Sequence, residues 1–167
     1  DVDADGALEA IGISTAFSNS GNAQVRDLAT GAVKWTDSAR PAAYVAAAQL
    51  DGDLALELIY GNTSSSIPGY LVDGITRQVE LTWPGGFRGP AVTGNFDNDP
   101  STTEFAIVER WSPTRVFGVS AGSYAQIGEI QTDEVRASRA RDLDGDGIDE
   151  IILGAGQSGK VIAFSPT

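Results

Sequence analysis

The sequence has neither cysteine nor histidine among its 167 residues. Without cysteine there is no disulfide framework and no thiol nucleophile, and thiol usage says nothing about the redox compartment. Losing histidine as well removes the usual zinc ligands, the Ser-His-Asp triad and the commonest general base. Amines are scarce too, with only Lys34 and Lys160. Catalysis would have to draw on carboxylates, tyrosines, arginines and those two lysines. Long apolar runs are also missing. Stretches such as Tyr44 to Ala48 and Ile151 to Leu153 fall far short of the roughly 20 residues a membrane helix needs, so no membrane insertion is expected. The chain opens on Asp1 and not on Met, which leaves its start uninformative about targeting. A hydrophobic content of 41% is enough for one ordinary globular domain with a core.

What is abundant is acid. The net charge is −12, and a diffuse surface of that sign repels nucleic acid and anionic membranes, so no nucleic acid partner is expected. The acids are not diffuse, however. Fourteen of the 23 fall at ligand-type positions in four short segments, leaving nine against eleven bases elsewhere. Outside those segments the chain is close to neutral, which points to bound cations as the reason for the acidity.

The four segments are copies of one another. They begin at Asp1, Gln49, Asn95 and Asp142 and read DVDADGALEAIGI, QLDGDLALELIYG, NFDNDPSTTEFAIV and DLDGDGIDEIILG, spaced by 48, 46 and 47 residues. A period near 47 fits propeller blades and also lies near the helical HEAT class, so periodicity inside the repeat has to decide. It favours strands. Short β-rich runs follow each loop at Ala10–Ser14, Leu58–Tyr60, Phe105–Val108 and Ile151–Leu153, and second strands are expected at Gln24–Arg26, Tyr70–Val72, Arg115–Val119 and Val161–Phe164. Hairpin turns at Asp27–Gly31 and Asp73–Thr76 lead into third strands at Ala32–Thr36 and Gln78–Trp83. A last strand, Tyr44–Ala48, Ala91–Thr93 or Val135–Ala140, leads into the next loop. The Ala-rich stretch Pro41–Ala48 comes closest to a helix; we read it as a strand near a propeller axis, where converging blades favour small residues. The expected fold is all-β, a β-propeller of four-stranded antiparallel blades. It is expected to be a single segment over residues 1–167, an incomplete portion of a larger propeller, with repeats 1–48, 49–94, 95–141 and an incomplete 142–167.

In the fourth repeat Asp142, Asp144, Asp146 and Glu150 stand at positions 1, 3, 5 and 9, with Gly147 at 6 and the carbonyl of Ile148 at 7. That spacing suits Ca²⁺, a hard cation that takes about six to eight oxygen ligands, with glycine permitting the sharp turn. The first repeat matches with Asp1, Asp3, Asp5, Gly6, the Ala7 carbonyl and Glu9. The second keeps Asp51, Asp53, the Ala55 carbonyl and Glu57 but has Gln49 at position 1 and Leu54 at position 6. The third offers Asn95, Asp97 and Asp99, then Pro100 and one extra residue that moves its acid to Glu104. The first and fourth loops are expected to bind best, because each of the others lacks one carboxylate. An EF-hand opens similarly, but its glutamate stands at about position 12 between helices, which this sequence does not provide.

Over essentially the whole chain these repeats resemble the FG-GAP family, with its VCBS-type bacterial relatives and the integrin α propeller, most closely at Asp142-Leu-Asp-Gly-Asp-Gly-Ile-Asp-Glu-Ile-Ile-Leu-Gly-Ala-Gly156 followed by Gly159-Lys-Val-Ile-Ala-Phe164. The resemblance implies a loop between the first and second strands of a blade that binds Ca²⁺ through Asp142, Asp144, Asp146 and Glu150. The departures at Gln49, Leu54 and Pro100 bear on the middle loops. It also implies a range of functions, among them adhesion receptors, lectins and calcium-containing polysaccharide lyases.

The expected role is a non-catalytic extracellular, cell-surface or periplasmic recognition module with structural calcium, since such loops suit compartments where calcium is roughly millimolar. A glycan or a surface protein is the expected ligand, with Trp35, Trp83 and Trp111 able to stack on sugar rings and Arg88 or Arg110 able to bond hydroxyls, although aromatics also pack between blades. The enzymatic alternative is a calcium-dependent lyase of acidic polysaccharides, in which calcium neutralises a uronate and Arg, Lys or Tyr removes a proton. Tyr44, Tyr60, Tyr70 and Tyr124 are present, but no sequence cluster marks a base. A structural subunit of a surface assembly is the third reading. An incomplete portion of a propeller would need further blades, or another copy of the chain, to cover its strand edges.

Overall fold

Two kinds of short segment dominate this chain: apolar runs of a few residues, and Asp/Gly-rich connections that cannot continue a ladder. The computed structural model describes residues 1–14, 21–97, 99–120, 123–132, 134–156 and 158–166. Among them it has fourteen strands and no helix. The first sheet holds β1 (Glu9–Ser14), β2 (Gly21–Asp27) and β3 (Val33–Ala42), and the second β4 (Tyr44–Ala48), β5 (Glu57–Gly61), β6 (Gly69–Asp73) and β7 (Val79–Trp83). The third holds β8 (Ala91–Gly94), β9 (Glu104–Ile107), β10 (Thr114–Ser120) and β11 (Ser123–Ile130), and the fourth β12 (Val135–Arg141), β13 (Glu150–Ala155) and β14 (Lys160–Phe164). Among the described residues every pair is antiparallel and joins chain neighbours, and no sheet closes on itself. The chain is therefore all-β, with four open antiparallel sheets of three or four strands.

The Ala-rich stretch is not a helix: Pro41 and Ala42 end β3 and Tyr44–Ala48 form β4, whose partner explains how the acidic loops are held. Ala48 pairs with Glu57 across the second loop, Gly94 with Glu104 across the third, and Arg141 with Glu150 across the fourth. Each of these loops is thus the connection of an antiparallel pair, and its glutamate is the first residue of the following strand. The ladder brings the loop ends together before any side chain contributes.

Inner strands with unbroken apolar runs are buried on both faces, as such runs require, while the inner strand β2 alternates. β5 and β9 are buried throughout, whereas the outer strands β7, β11 and β14 are largely exposed. The chain forms two compact units, one of residues 1–49 with 53–90 and one of 50–52 with 91–167. The core of the first gathers Val25, Trp35, Leu58, Tyr60 and Val72. That of the second gathers Phe96, Ala106, Val116, Ile151 and Leu153.

The two expected hairpin turns have the same construction. The N–H groups of Asp27 and Gly31 bond to Ala32 and Asp27 carbonyls, and those of Asp73 and Arg77 bond to Gln78 and Asp73 carbonyls. In each, the aspartate carboxylate accepts the N–H of a threonine, Thr30 or Thr76. Gly31 and Arg77 both take left-handed backbones, at φ 72° and 63°.

Candidate metal centres

All four loops share one internal contact. The carboxylate at position 5 accepts the N–H at position 7: Ala7 on Asp5 at 2.9 Å, Ala55 on Asp53 at 2.6 Å, Ser101 on Asp99 at 3.0 Å and Ile148 on Asp146 at 2.8 Å. A second contact recurs in three loops. The buried glutamate that starts the strand uses Oε2 to accept the N–H at position 2, from Val2 to Glu9 at 2.6 Å, Phe96 to Glu104 at 2.8 Å and Leu143 to Glu150 at 2.8 Å. These bonds accompany a convergence of acidic side chains in the first and fourth loops, whereas Asp97, Asp99 and Glu104 of the third are not brought together.

In the fourth loop Asp142, Asp144 and Asp146 bring one carboxylate oxygen each within 4.8 Å of the others. Oxygens around a calcium ion at about 2.3–2.6 Å stand up to twice that distance apart, so the set fits the ion. Asp142 also accepts the N–H groups of Gly145 at 2.7 Å and Gly147 at 3.1 Å. Ile148 is buried, and Glu150 lies outside the convergent set. Gly145 and Gly147 have φ of 85° and 92°, the left-handed backbone that glycine adopts most cheaply.

The third loop offers a different sign of fit. Glu104 is fully buried with no hydrogen bond to Oε1, and the buried Oδ1 of Asn95 likewise has none. Two acceptor atoms without a donor are costly in a protein interior and suit a cation. Asp97 accepts the N–H of Asp99 at 2.7 Å, and the Ser101 hydroxyl and N–H hold the Asp99 carboxyl below the usual aspartate range. Asn95 reaches the fourth loop, its N–H on Asp149 at 3.0 Å and its amide on the Gly147 carbonyl at 2.8 Å.

The second loop departs from the expected set. The Gln49 amide donates to the carbonyls of Asp53 and Ala55, both at 2.6 Å, so the position-7 carbonyl already has a donor. Asp51 is exposed. Asp53 and the buried Glu57 converge with Asp73 of the hairpin turn, and Glu57 also lies within 4.8 Å of Glu80 on β7.

The first loop has all four carboxylates together, Asp1, Asp3, Asp5 and Glu9. Among them sits the Lys34 ammonium, 2.9 Å from Asp3, 2.6 Å from Asp5 and 3.0 Å from Glu9. These bonds, that to Asp3 foremost, raise the lysine well above its ordinary pKa, and the Lys34 contact holds Asp5 low. Loop spacing does not reveal Lys34, Asp73, Glu80 or Asp149. The one signal available for Lys34 and Glu80 is the alignment of the two hairpin turns, which places both at the same step of the third strand.

The tryptophans separate. Trp35 is buried in a core beneath the Arg77 guanidinium at 5.4 Å, and Trp83 is half-buried with its ring 6.3 Å from Phe87. Trp111 is 62% exposed, with Arg110 over its ring at 5.3 Å. Arg88 is half-buried. Tyr44, Tyr70 and Tyr124 are half-buried, while burial and the neighbouring Asp37 carboxylate push the Tyr60 hydroxyl above the usual phenol value.

No family model and no curated protein sequence matches the chain. Among solved structures it is similar to a chain of the "Crystal Structure of Mitotic Checkpoint Complex", with a TM-score of 0.62 and 13% identity over 87% of this chain and 44% of that one. The chain spans less than half the length of that protein, and likeness at this identity bears on fold alone.

Proposed function

We propose that this chain is a run of calcium-binding propeller blades serving as a non-catalytic recognition module outside the cytoplasm. The observation that carries the reading is the fourth loop, where a ladder-closed connection and two left-handed glycines bring three carboxylates to calcium spacing. The four sheets are blades in this reading, supported by the repeat near 47 residues and by the loop position between the paired strands. Calcium ties the loop it fills to the following strand and offsets the repulsion of the clustered acids, which suits a compartment with roughly millimolar calcium. Ligand recognition falls to other surfaces. Exposed Trp111 with Arg110 is a platform of the type that stacks on a sugar ring, which favours a glycan ligand.

Thermal melting in calcium and in chelator tests the metal reading. A site filled at 100-fold excess over its dissociation constant stabilises the native state by about 2.7 kcal/mol. Calcium is expected to raise the melting temperature, and Asp144→Asn with Asp146→Asn to remove the fourth loop's share. A melting curve that is the same in calcium and chelator would overturn it.

A further inference from the structure

The first loop matches the calcium pattern in sequence at every ligand position, as the fourth does, yet its carboxylates already hold a cation of the chain's own. Lys34 comes from β3, 25 to 31 residues away from the oxygens it meets. An ammonium has three donors, and in Lys34 all three are used on loop carboxylates, with the side chain only 19% exposed. Calcium would need the same oxygens at about 2.3–2.6 Å. Both cations cannot have them.

The second sheet makes the comparison. Its hairpin turn repeats that of the first bond for bond, so Lys34 and Glu80 occupy equivalent positions, each seven residues after the turn aspartate. Glu80 meets Glu57 of a loop whose first position is the neutral Gln49. Lysine thus faces the loop with the full set of acids, and glutamate faces the loop that lacks one. We propose that Lys34 is the resident cation of the first loop, closing it without metal, and that this third-strand position decides whether the first and second loops take calcium.

The inference rests on the reading of these loops as calcium sites, and one experiment separates the two. Calorimetric titration of the full chain with calcium chloride is compared for the unaltered protein, Lys34→Gln, Lys34→Arg and Asp144→Asn with Asp146→Asn. Lys34→Gln is expected to gain one calcium ion per chain and to melt lower in chelator, with calcium restoring it. Lys34→Arg, which keeps the charge, is expected to gain none. Combining Lys34→Gln with Asp5→Asn should recover part of the metal-free stability, a readout that holds if Lys34→Gln alone fails to fold in chelator. No gained ion in Lys34→Gln overturns the inference, whatever the fourth loop does. Unaltered binding in the Asp144, Asp146 double variant instead counts against the fourth loop and leaves Lys34 standing.

Discussion

Position 4 of the acidic loops shows how much a single backbone conformation can matter. Ala4, Gly52 and Gly145 share a left-handed backbone there, at φ 56°, 88° and 85°. Glycine takes this region freely, whereas an L-residue pays about 1–2 kcal/mol in steric cost. Ala4→Gly is therefore expected to stabilise the chain by about 1 kcal/mol. Gly31→Ala is expected to cost about as much, since φ there is 72° and the space around it is open, leaving backbone strain as the whole effect. Urea midpoints for the two variants should move in opposite directions, and a neutral Gly31→Ala would refute the strain argument. Gly74 works differently: a Cβ there would stand 2.1 Å from the Val2 carbonyl oxygen, so the hairpin turn of the second sheet needs glycine to admit the first loop.

Among the elements, the inner strands were legible, as were the outer strands β7 and β14, whereas β11 was not. Phe105–Val108 reads as a strand because four apolar residues in a row need burial on both faces. The structure places Phe105 opposite Phe117 of β10 with rings 4.8 Å apart and both fully buried. Phe105→Ala is expected to cost about 3–5 kcal/mol, as large-to-small changes do in tight cores. Trp111→Ala, at an exposed ring, should stay within about 0.5 kcal/mol of the unaltered protein while abolishing binding on a glycan array. If that variant binds glycans undiminished, Trp111 is not the platform. Strand β11, SYAQIGEI, escaped the sequence reading because it is mostly exposed and carries too few apolar residues to show a period.

For the molecule as a whole, acid stability depends on carboxylates held by arginines as well as on the loops. Glu134 is buried and takes the guanidinium of Arg110, Nε at 2.8 Å, together with that of Arg136. The Arg110 bond first, and the Arg136 charge with it, hold the carboxyl below its ordinary value of 4.5. The unfolded chain therefore binds this proton more readily. Its stabilisation is complete above the unfolded value and is lost as pH falls through the folded one. Glu134→Gln should lower stability at neutral pH and flatten the loss on acidification below about pH 4.5. A variant whose acid limb matches that of the unaltered protein would show that Glu134 is not a source of it.

Spacing alone determined the repeat, the strands that follow each loop and the carboxylates at Asp142, Asp144 and Asp146, because those features are local and their period survives in one dimension. Which strand each loop joins was decided by tertiary pairing. Ala48 opposite Glu57 and Arg141 opposite Glu150 are contacts between strands, invisible to a repeat that can be cut anywhere along its length. The charge inside each loop was decided the same way. Lys34 and Glu80 are ordinary strand residues by sequence, and only the hairpin that folds β3 and β7 back toward the loops sets a cation against one cluster of acids and a further carboxylate against another.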